Sequence, residues 1–229
     1  MANELMLKLA IMISGRGSNM LRLAEAINEM SLGVKITMVV ANRVCDGITS
    51  AAECGLPVTV IKRQDFPDRA SHECAVAKTI QASGADYIFL AGYMSVLSAN
   101  FVDNFAGRLI NIHPSLLPKY KGLDTHQRAI DDQADQHGVS VHLVTADLDA
   151  GPIIAQASLT ILPGDTASSL AARVLHLEHQ IYPFVLASLC NKTLEITEKL
   201  VIWQDLPGAF ASLPKAIRDI LQPALVFPR

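Results

Sequence analysis

An amide, an imidazole and a carboxylate are the side chains in this sequence best suited to chemistry. Asn111 and His113 are two positions apart in a short apolar run, so their side chains share one face of a predicted strand. An amide can stabilise a developing oxyanion, and a histidine can exchange a proton near neutral pH. Pro114 ends the strand, which places both side chains at its carboxyl end, where open α/β sheets bind ligands.

A carboxylate beside His113 would favour the charged imidazolium and raise the pKa of that histidine. Asp147 and Asp149 are both candidates, because they lie in a turn just before Gly151. These features also have an ordinary explanation. A histidine at a strand end is often a hydrogen-bonded structural residue, and Asp-Leu-Asp-Ala-Gly-Pro consists of common turn residues.

A glycine loop forms the second group of candidate residues. Gly15, Gly17, Ser18 and Asn19 connect a predicted strand to a predicted helix, where glycine permits close approach and the helix start offers N–H groups to an anion. We predict a phosphate cradle, and the alternative is a tight turn with Ser18 or Asn19 as the helix cap. The loop lacks the lysine that a Walker phosphate loop requires. Met20 stands where a dinucleotide-binding fingerprint has its third glycine, which disfavours a nicotinamide dehydrogenase.

The elements that would position these residues alternate along the chain. Helical patterns separate apolar runs that predict strands at residues 7–13, 34–41, 58–61, 86–91, 108–112, 139–145 and 153–161. The alternation predicts an α/β, Rossmann-like fold with a mostly parallel, twisted sheet and helices on both faces. Asp165 is expected to cap a long helix that reaches about Leu189 and is kinked or interrupted at Pro183.

Composition limits the class of protein. The 229 residues are 50% hydrophobic, which suffices for a substantial core, and the net charge of −3 with 5% aromatics argues against a nucleic-acid partner. No apolar run is long enough for a membrane helix. The first residues do not show the pattern of a signal peptide. The four cysteines and seven histidines do not have the spacing of metal ligands. We therefore expect a cytoplasmic monomer or homodimer that acts on small molecules, without a membrane, nucleic acid or metal.

Five motifs, in this order along the chain, resemble the phosphoribosylglycinamide formyltransferase family over roughly residues 7–203. The Asn-x-His-Pro-Ser-Leu-Leu-Pro run with the later Leu-Asp-x-Gly-Pro is typical of folate-dependent formyltransferases, and the Ser-Gly-x-Gly-Ser-Asn loop indicates the glycinamide ribonucleotide branch. The motifs are Ser14-Gly15-Arg16-Gly17-Ser18-Asn19, Leu90-Ala91-Gly92-Tyr93-Met94, Asn111-Ile112-His113-Pro114-Ser115-Leu116-Leu117-Pro118, His137-Gly138-Val139-Ser140-Val141-His142 and Asp147-Leu148-Asp149-Ala150-Gly151-Pro152.

The resemblance implies an enzyme of de novo purine biosynthesis that moves a formyl group from 10-formyltetrahydrofolate, its co-substrate, to the amine of glycinamide ribonucleotide. It implies that Asn111 and protonated His113 stabilise the oxyanion while Asp149 raises the pKa of His113. The implied substrate contacts are Gly17, Ser18, Asn19 and Glu178. The implied folate contacts are Arg69, Met94, Ser95, Val96, Leu97, Asn111 and Thr145.

Two features depart from the family pattern. Ser95 stands in a Met-Ser-Val-Leu run where the family often has Met-Arg-Ile-Leu, so we expect a side-chain interaction to be missing there. We assign residues 1–204 to a catalytic domain and residues 205–229 to a C-terminal tail without a known role.

We keep two rival functions, a 10-formyltetrahydrofolate deformylase and a non-catalytic nucleotide-binding module. A 10-formyltetrahydrofolate deformylase usually carries an N-terminal regulatory domain, for which a first strand near Leu7 is expected to leave no room. Methionyl-tRNA formyltransferase is disfavoured by the missing C-terminal RNA-binding domain and by the Gly-Ser-Asn loop. A non-catalytic nucleotide-binding module is the rival from another class, and it would bind phosphate without formyl transfer.

Overall fold

The computed structural model describes residues 6–198 and 200–226 and divides into two compact units, residues 1–111 and 112–229. The boundary falls inside the fifth strand, β5 (Leu109–His113). The eight strands of the main sheet run in the order β10-β7-β6-β5-β4-β1-β2-β3. The predicted α/β fold with a mostly parallel sheet is confirmed, and the bounds of its elements are given unit by unit below.

The first unit alternates strands and helices. Its other elements are β1 (Leu7–Ile13), α1 (Ser18–Glu29), β2 (Val34–Ala41), α2 (Asp46–Glu53), β3 (Val58–Val60), a 3-10 turn (Arg63–Asp65), α3 (Arg69–Ser83), β4 (Tyr87–Leu90) and α4 (Ala99–Asp103). The pairs β1–β2, β1–β4, β2–β3 and β4–β5 are all parallel. The chain steps outward from β1 to β3 and then returns to the other side of β1 for β4. Ligands in open α/β sheets bind at such a reversal, beside the carboxyl ends of the strands.

Local sequence explains these elements. The last five residues of β1 are buried, as expected for an apolar strand covered on both faces. Asp68 caps α3 by accepting a hydrogen bond of 2.7 Å from the Ser71 N–H, and Gly84 ends that helix with a φ of 66°. Both ends of α3 are therefore specified by single residues.

The second unit contains the antiparallel part of the sheet and the longest helix. Its elements are α5 (Thr125–Asp131), β6 (Gln136–Leu143), β7 (Ile153–Thr160), α6 (Ala167–Cys190), β8 (Leu194–Ile196), β9 (Val201–Trp203), α7 (Leu206–Ala211), α8 (Lys215–Leu221) and β10 (Leu225–Val226). Strand β7 pairs antiparallel with β6 and β10, while β8 and β9 form a separate hairpin.

The expected cap of α6 was wrong, and a kink at Pro183 stays a prediction. The cap is Thr166, which shares a capping box with Ser169, and Asp165 instead bonds the side chains of Ser169 and Arg173. Pro183 lies inside the helix without interrupting it, in a stretch where residues 180–189 are all buried. Burial of this apolar surface offsets the loss of one backbone hydrogen bond at the proline.

The segment after residue 204 packs on the second unit. Helices α7 and α8 contact α6, and Trp203, just before them, stacks on Phe184 with ring centroids 5.3 Å apart. Strand β10 pairs with β7, where the Ser158 N–H also donates to the Ala224 carbonyl at 2.7 Å. Division of the chain at residue 204 into a domain and a tail stays a prediction. No helix among residues 6–198 and 200–226 is long and apolar enough to cross a membrane.

Candidate active site

The glycine loop joins β1 to α1 in the first unit. Gly17 occupies the cap position of α1 with a φ of 76°, a left-handed conformation that favours glycine. No side chain caps this helix, so the alternative with Ser18 or Asn19 as the cap is wrong. A helix start without a side-chain cap suits an anionic ligand, because its N–H groups and its dipole both favour negative charge.

Gly47 holds this loop against the start of α2. Its N–H donates to the Gly15 carbonyl at 3.1 Å. A Cβ added to Gly47 would lie 2.7 Å from that carbonyl oxygen, closer than van der Waals contact allows. The loop conformation therefore depends on a glycine outside the motif, at a position that no sequence pattern marks.

Ser14 connects the loop to two neighbouring strand ends within the first unit. Its buried hydroxyl donates to Asn42 Oδ1 at 2.7 Å and accepts from the Met94 N–H at 2.8 Å. Its carbonyl accepts from Arg43 Nε at 2.6 Å, and its N–H donates to the Gly92 carbonyl at 3.1 Å. The segment that begins at Met94 is thus fixed to the end of β1 through one side chain.

The predicted folate segment, residues 94–97, begins exposed and ends buried. Met94 and Val96 are 65% and 59% exposed, whereas Leu97 is buried. Arg69 Nε donates to Glu73 Oε1 at 2.8 Å, and Glu73 also accepts from the Ser98 backbone and hydroxyl. Burial opposes ionisation of Glu73, but the bonds from Ser98 and Arg69 outweigh it and lower its pKa. Glu73 therefore links Arg69 to the end of this segment.

His113 and Asp149 lie together in the second unit. His113 Nδ1 is 3.5 Å from Asp149 Oδ2, and both side chains are less than 10% exposed. His113 Nε2 lies 2.9 Å from the Tyr120 carbonyl, which can only accept, so this nitrogen carries a proton. Asp149 has a left-handed φ of 47°, and its Oδ2 accepts from the Gly122 N–H at 2.9 Å. The backbone thus fixes both members of the pair.

A second histidine faces the same carboxylate. His142 Nε2 is 3.7 Å from Asp149 Oδ1, while its Nδ1 lies 2.7 Å from the Leu143 carbonyl and carries the proton. Burial lowers the pKa of His142 despite opposing contributions from the Leu143 carbonyl and Asp149. Of the two carboxylates in this turn, Asp149 is therefore the one that lies beside the histidines, since Asp147 is exposed and joins neither histidine in these contacts.

Two further histidines of the second unit, His126 and His137, contact each other. His137 Nε2 is 3.1 Å from His126 Nδ1, and the Tyr120 ring packs edge-on against His137 at 5.8 Å. Burial, with a smaller contribution from His126, lowers the pKa of His137 to about 4. Tyr120 thus contacts His113 through its carbonyl and His137 through its ring, a position that its sequence context did not indicate.

The remaining predicted residues are distributed over the two units. Asn111 is half-buried and precedes His113 by two positions on β5, so the two side chains share a face of the sheet. Glu178 is half-buried on α6, and its charge contributes, after burial, to the raised pKa of Tyr182. Thr145 is exposed and its hydroxyl donates to the Asp147 carbonyl. No group of three His, Cys, Asp or Glu residues could hold a metal in the part of the chain that the structure describes.

The motifs and this geometry agree with comparisons to known proteins. Residues 7–186 match the formyl transferase family. A phosphoribosylglycinamide formyltransferase from Haemophilus influenzae is 37% identical over 85% of this chain and 92% of its own length. The chain belongs to the phosphoribosylglycinamide formyltransferase family. The Escherichia coli member is 36% identical over 87% of this chain and 94% of its own length.

Solved structures support the same family. The chain resembles the phosphoribosylglycinamide formyltransferase structure from Coxiella burnetii with a TM-score of 0.83 and 43% identity, over 86% of this chain and 93% of that one. A Symbiobacterium toebii glycinamide ribonucleotide transformylase has the same TM-score at 33% identity, over 87% of this chain and 95% of that one. The prediction of a formyltransferase enzyme is confirmed, while the roles of single residues stay predictions.

Proposed function

We propose that this chain transfers the formyl group of 10-formyltetrahydrofolate to the amine of glycinamide ribonucleotide in purine biosynthesis. The main support is the buried pair of His113 and Asp149, at the end of the strand that carries Asn111. The match to phosphoribosylglycinamide formyltransferases supports the same reaction. The products are formylglycinamide ribonucleotide and tetrahydrofolate.

The chemistry begins with attack of the substrate amine on the formyl carbon. A new bond forms from the amine nitrogen to that carbon, and the formyl oxygen gains negative charge. The Asn111 amide stabilises this oxyanion as a hydrogen-bond donor, and protonated His113 stabilises it through its positive charge. The bond from the carbon to the folate nitrogen then breaks, and the proton lost by the amine goes to that nitrogen.

Asp149 orients the imidazole that this step needs. Its Oδ2 lies 3.5 Å from His113 Nδ1, while the Tyr120 carbonyl accepts from Nε2, so each ring nitrogen faces an acceptor. The Gly122 N–H binds the same carboxylate oxygen and keeps it in place. Asp149 therefore supports catalysis through His113.

The glycine loop supplies the other half of the proposal. Gly17, Ser18 and Asn19 bind the ribonucleotide phosphate at the start of α1, where no side chain occupies the cap. Glu178 contacts the same substrate. On the folate side, the contacts are those implied by the family, namely Arg69, residues 94–97, Asn111 and Thr145.

One assay separates this function from its rivals. Purified protein is given 10-formyltetrahydrofolate with and without glycinamide ribonucleotide, and both folate and ribonucleotide products are measured. Formyl transfer that requires the amine supports the proposal. Loss of formyl at the same rate without the amine would indicate a deformylase. Binding of the ribonucleotide without any turnover would indicate a nucleotide-binding module.

A further inference from the structure

A short loop of the second unit, residues 119–123, contacts both members of the pair formed by His113 and Asp149. The Tyr120 carbonyl accepts from His113 Nε2 at 2.9 Å, and the Gly122 N–H donates to Asp149 Oδ2 at 2.9 Å. Both loop groups belong to the backbone, so their positions depend on the conformation of the loop and not on a side-chain rotamer. A contact that fixes this loop therefore fixes the imidazole and the carboxylate together.

The 119–123 loop has an unusual backbone conformation. It lies between β5 and α5, and both Tyr120 and Gly122 are left-handed, with φ values of 56° and 78°. Glycine adopts this region freely, but a tyrosine adopts it only where its surroundings impose it. Side chains outside the loop must therefore supply the contacts that keep Tyr120 in this conformation.

Arg128, on α5, supplies two hydrogen bonds to this loop. Its Nη1 donates to the Lys121 carbonyl at 2.7 Å and to the Leu123 carbonyl at 3.3 Å. These carbonyls lie on either side of Gly122, the residue whose N–H binds Asp149. Hydrogen bonds from a charged guanidinium are stronger than bonds between neutral groups. Arg128 thus holds the backbone on both sides of the donor to the carboxylate.

The same guanidinium contacts the ring of Tyr120. The guanidinium carbon of Arg128 lies 5.5 Å from the ring centroid, within the range of a cation–π interaction. The ring also packs edge-on against His137, which is fully buried. These two contacts fix the residue whose carbonyl accepts from His113. Arg128 therefore acts on both ends of the pair, through Tyr120 at the imidazole and around Gly122 at the carboxylate.

Arg128 directs its charge to the loop. Among residues 6–198 and 200–226, no carboxylate forms an ion pair with it. Its neighbour Gln127 donates to Asp131 at 2.7 Å, so that contact stays within α5. Both Arg128 and Gln127 are exposed, and substitution of an exposed residue usually has little effect. A loss of activity confined to Arg128 would therefore be informative.

We propose that Arg128 is a positioning residue for formyl transfer. It holds the 119–123 loop so that the loop backbone keeps His113 and Asp149 in their reactive arrangement. It acts through the loop and does not touch the reacting atoms. The proposal rests on the proposed function, because the pair has a role in turnover only there. Loss of Arg128 should therefore lower kcat and leave the KM of both substrates nearly unchanged.

The kinetic test compares Arg128→Ala with Gln127→Ala, a matched change at the next position of α5. We expect Arg128→Ala to lower kcat about tenfold and to change either KM by less than about twofold, because a small displacement of positioned groups slows the chemical step. Arg128→Lys keeps the charge but lacks the planar fork, so its kcat should be intermediate. Gln127→Ala should keep the kcat of the unaltered protein. An unchanged kcat in Arg128→Ala would overturn the proposal, and so would a raised KM with an unchanged kcat.

Amide hydrogen exchange, followed by NMR, gives a readout that does not depend on turnover. The Gly122 N–H is bonded to Asp149 Oδ2, and we expect Arg128→Ala to speed its exchange by at least about tenfold through local opening of the loop. The amides of β6 should keep their rates, and Gln127→Ala should leave the Gly122 rate unchanged.

Two results of the exchange measurement would refute the role of Arg128. One is a Gly122 rate in Arg128→Ala equal to that of the unaltered protein. The other is faster exchange throughout β6, which would show a general loss of stability in place of a local one. If the unaltered protein failed to transfer formyl, the proposed function would fail, yet the Gly122 rate would still show whether Arg128 holds the loop.

Discussion

The glycine loop after β1 offers backbone groups to a ligand, whereas the pair formed by His113 and Asp149 acts through buried side chains. In the loop, Gly17 and Gly47 matter because they lack a side chain, and a Cβ at Gly47 would strike the Gly15 carbonyl. At the pair, each reactive group has a defined partner, Tyr120 for one and Gly122 for the other. Substitutions should therefore affect binding in the first region and turnover in the second.

The largest effect is expected from the side-chain region. His113→Ala or Asp149→Asn should lower kcat by at least about a hundredfold, the usual range for a positioned acid–base group. The first change removes the imidazole that stabilises the oxyanion, and the second removes the negative charge beside that imidazole. Steady-state kinetics with both substrates measure the loss, and Asp147→Asn, an exposed acid of the same turn, is the control. Turnover near that of the unaltered protein in either variant would refute the assigned roles.

A smaller but selective effect is expected from the backbone region. Gly47→Ala should raise the KM for glycinamide ribonucleotide by about tenfold or more, because overpacking at the Gly15 carbonyl costs about 1–3 kcal/mol and displaces the loop. The KM for the folate should change much less. Ser50→Ala, on the same helix, leaves the Gly47 contact intact and serves as control. An unchanged ribonucleotide KM, with the fold verified by circular dichroism, would show that the loop does not bind the phosphate.

Acid should destabilise the second unit, which holds the pair of His113 and Asp149, through protonation of His137. Its pKa is about 4 in the folded protein and near 6.5 when unfolded, so between these values only the unfolded state binds the proton. Stability should therefore fall as the pH drops from 6.5 toward 4, by at most about 1.4 kcal/mol per pH unit from this group. Urea unfolding at pH 7, 6 and 5 measures the slope, and His137→Phe should flatten it. Hydrogen exchange should report the loss in the second unit first, and a slope unaffected by His137→Phe would contradict this origin.

The smallest effect is expected from Ser18→Ala. The hydroxyl contributes one hydrogen bond to a phosphate that backbone groups already bind, so we expect about a fivefold loss of ribonucleotide affinity from about 1 kcal/mol. Most of kcat should remain, in contrast to the variants of His113 and Asp149. Calorimetry with glycinamide ribonucleotide measures the affinity, and an unchanged value would indicate that this hydroxyl does not touch the phosphate.

The sequence predicted the regular elements well, for local reasons. The bounds of β1 and β2 were predicted to the residue, because each is rich in apolar residues and is followed by a polar residue, Ser14 or Asn42. The end of helix α3 also has a local cause, since Gly84 accepts the left-handed conformation there. Strand β10, with two residues, has no periodicity from which it could be predicted.

The arrangement of the candidate site was only partly predictable. Spacing left both Asp147 and Asp149 open, and the family resemblance alone implied Asp149. The left-handed turn at Asp149 and the distant Gly122 N–H cannot be read from spacing. Ser14 lay within a recognised motif, but its bonds to residues 28 and 80 positions away depend on strand order. Interactions between strand ends are tertiary, so local patterns carry no signal for them.

Strand β10 also has a consequence for handling the protein. It pairs with Gln156 and Ala157 on the outer side of β7, so the chain itself covers part of a strand edge that would otherwise offer unpaired N–H and C=O groups. A shortened form cut after residue 204, made to match the length of its relatives, would uncover that edge together with the apolar side of α6. Such a form would be prone to self-association through strand addition, and expression tags are better placed at the other terminus.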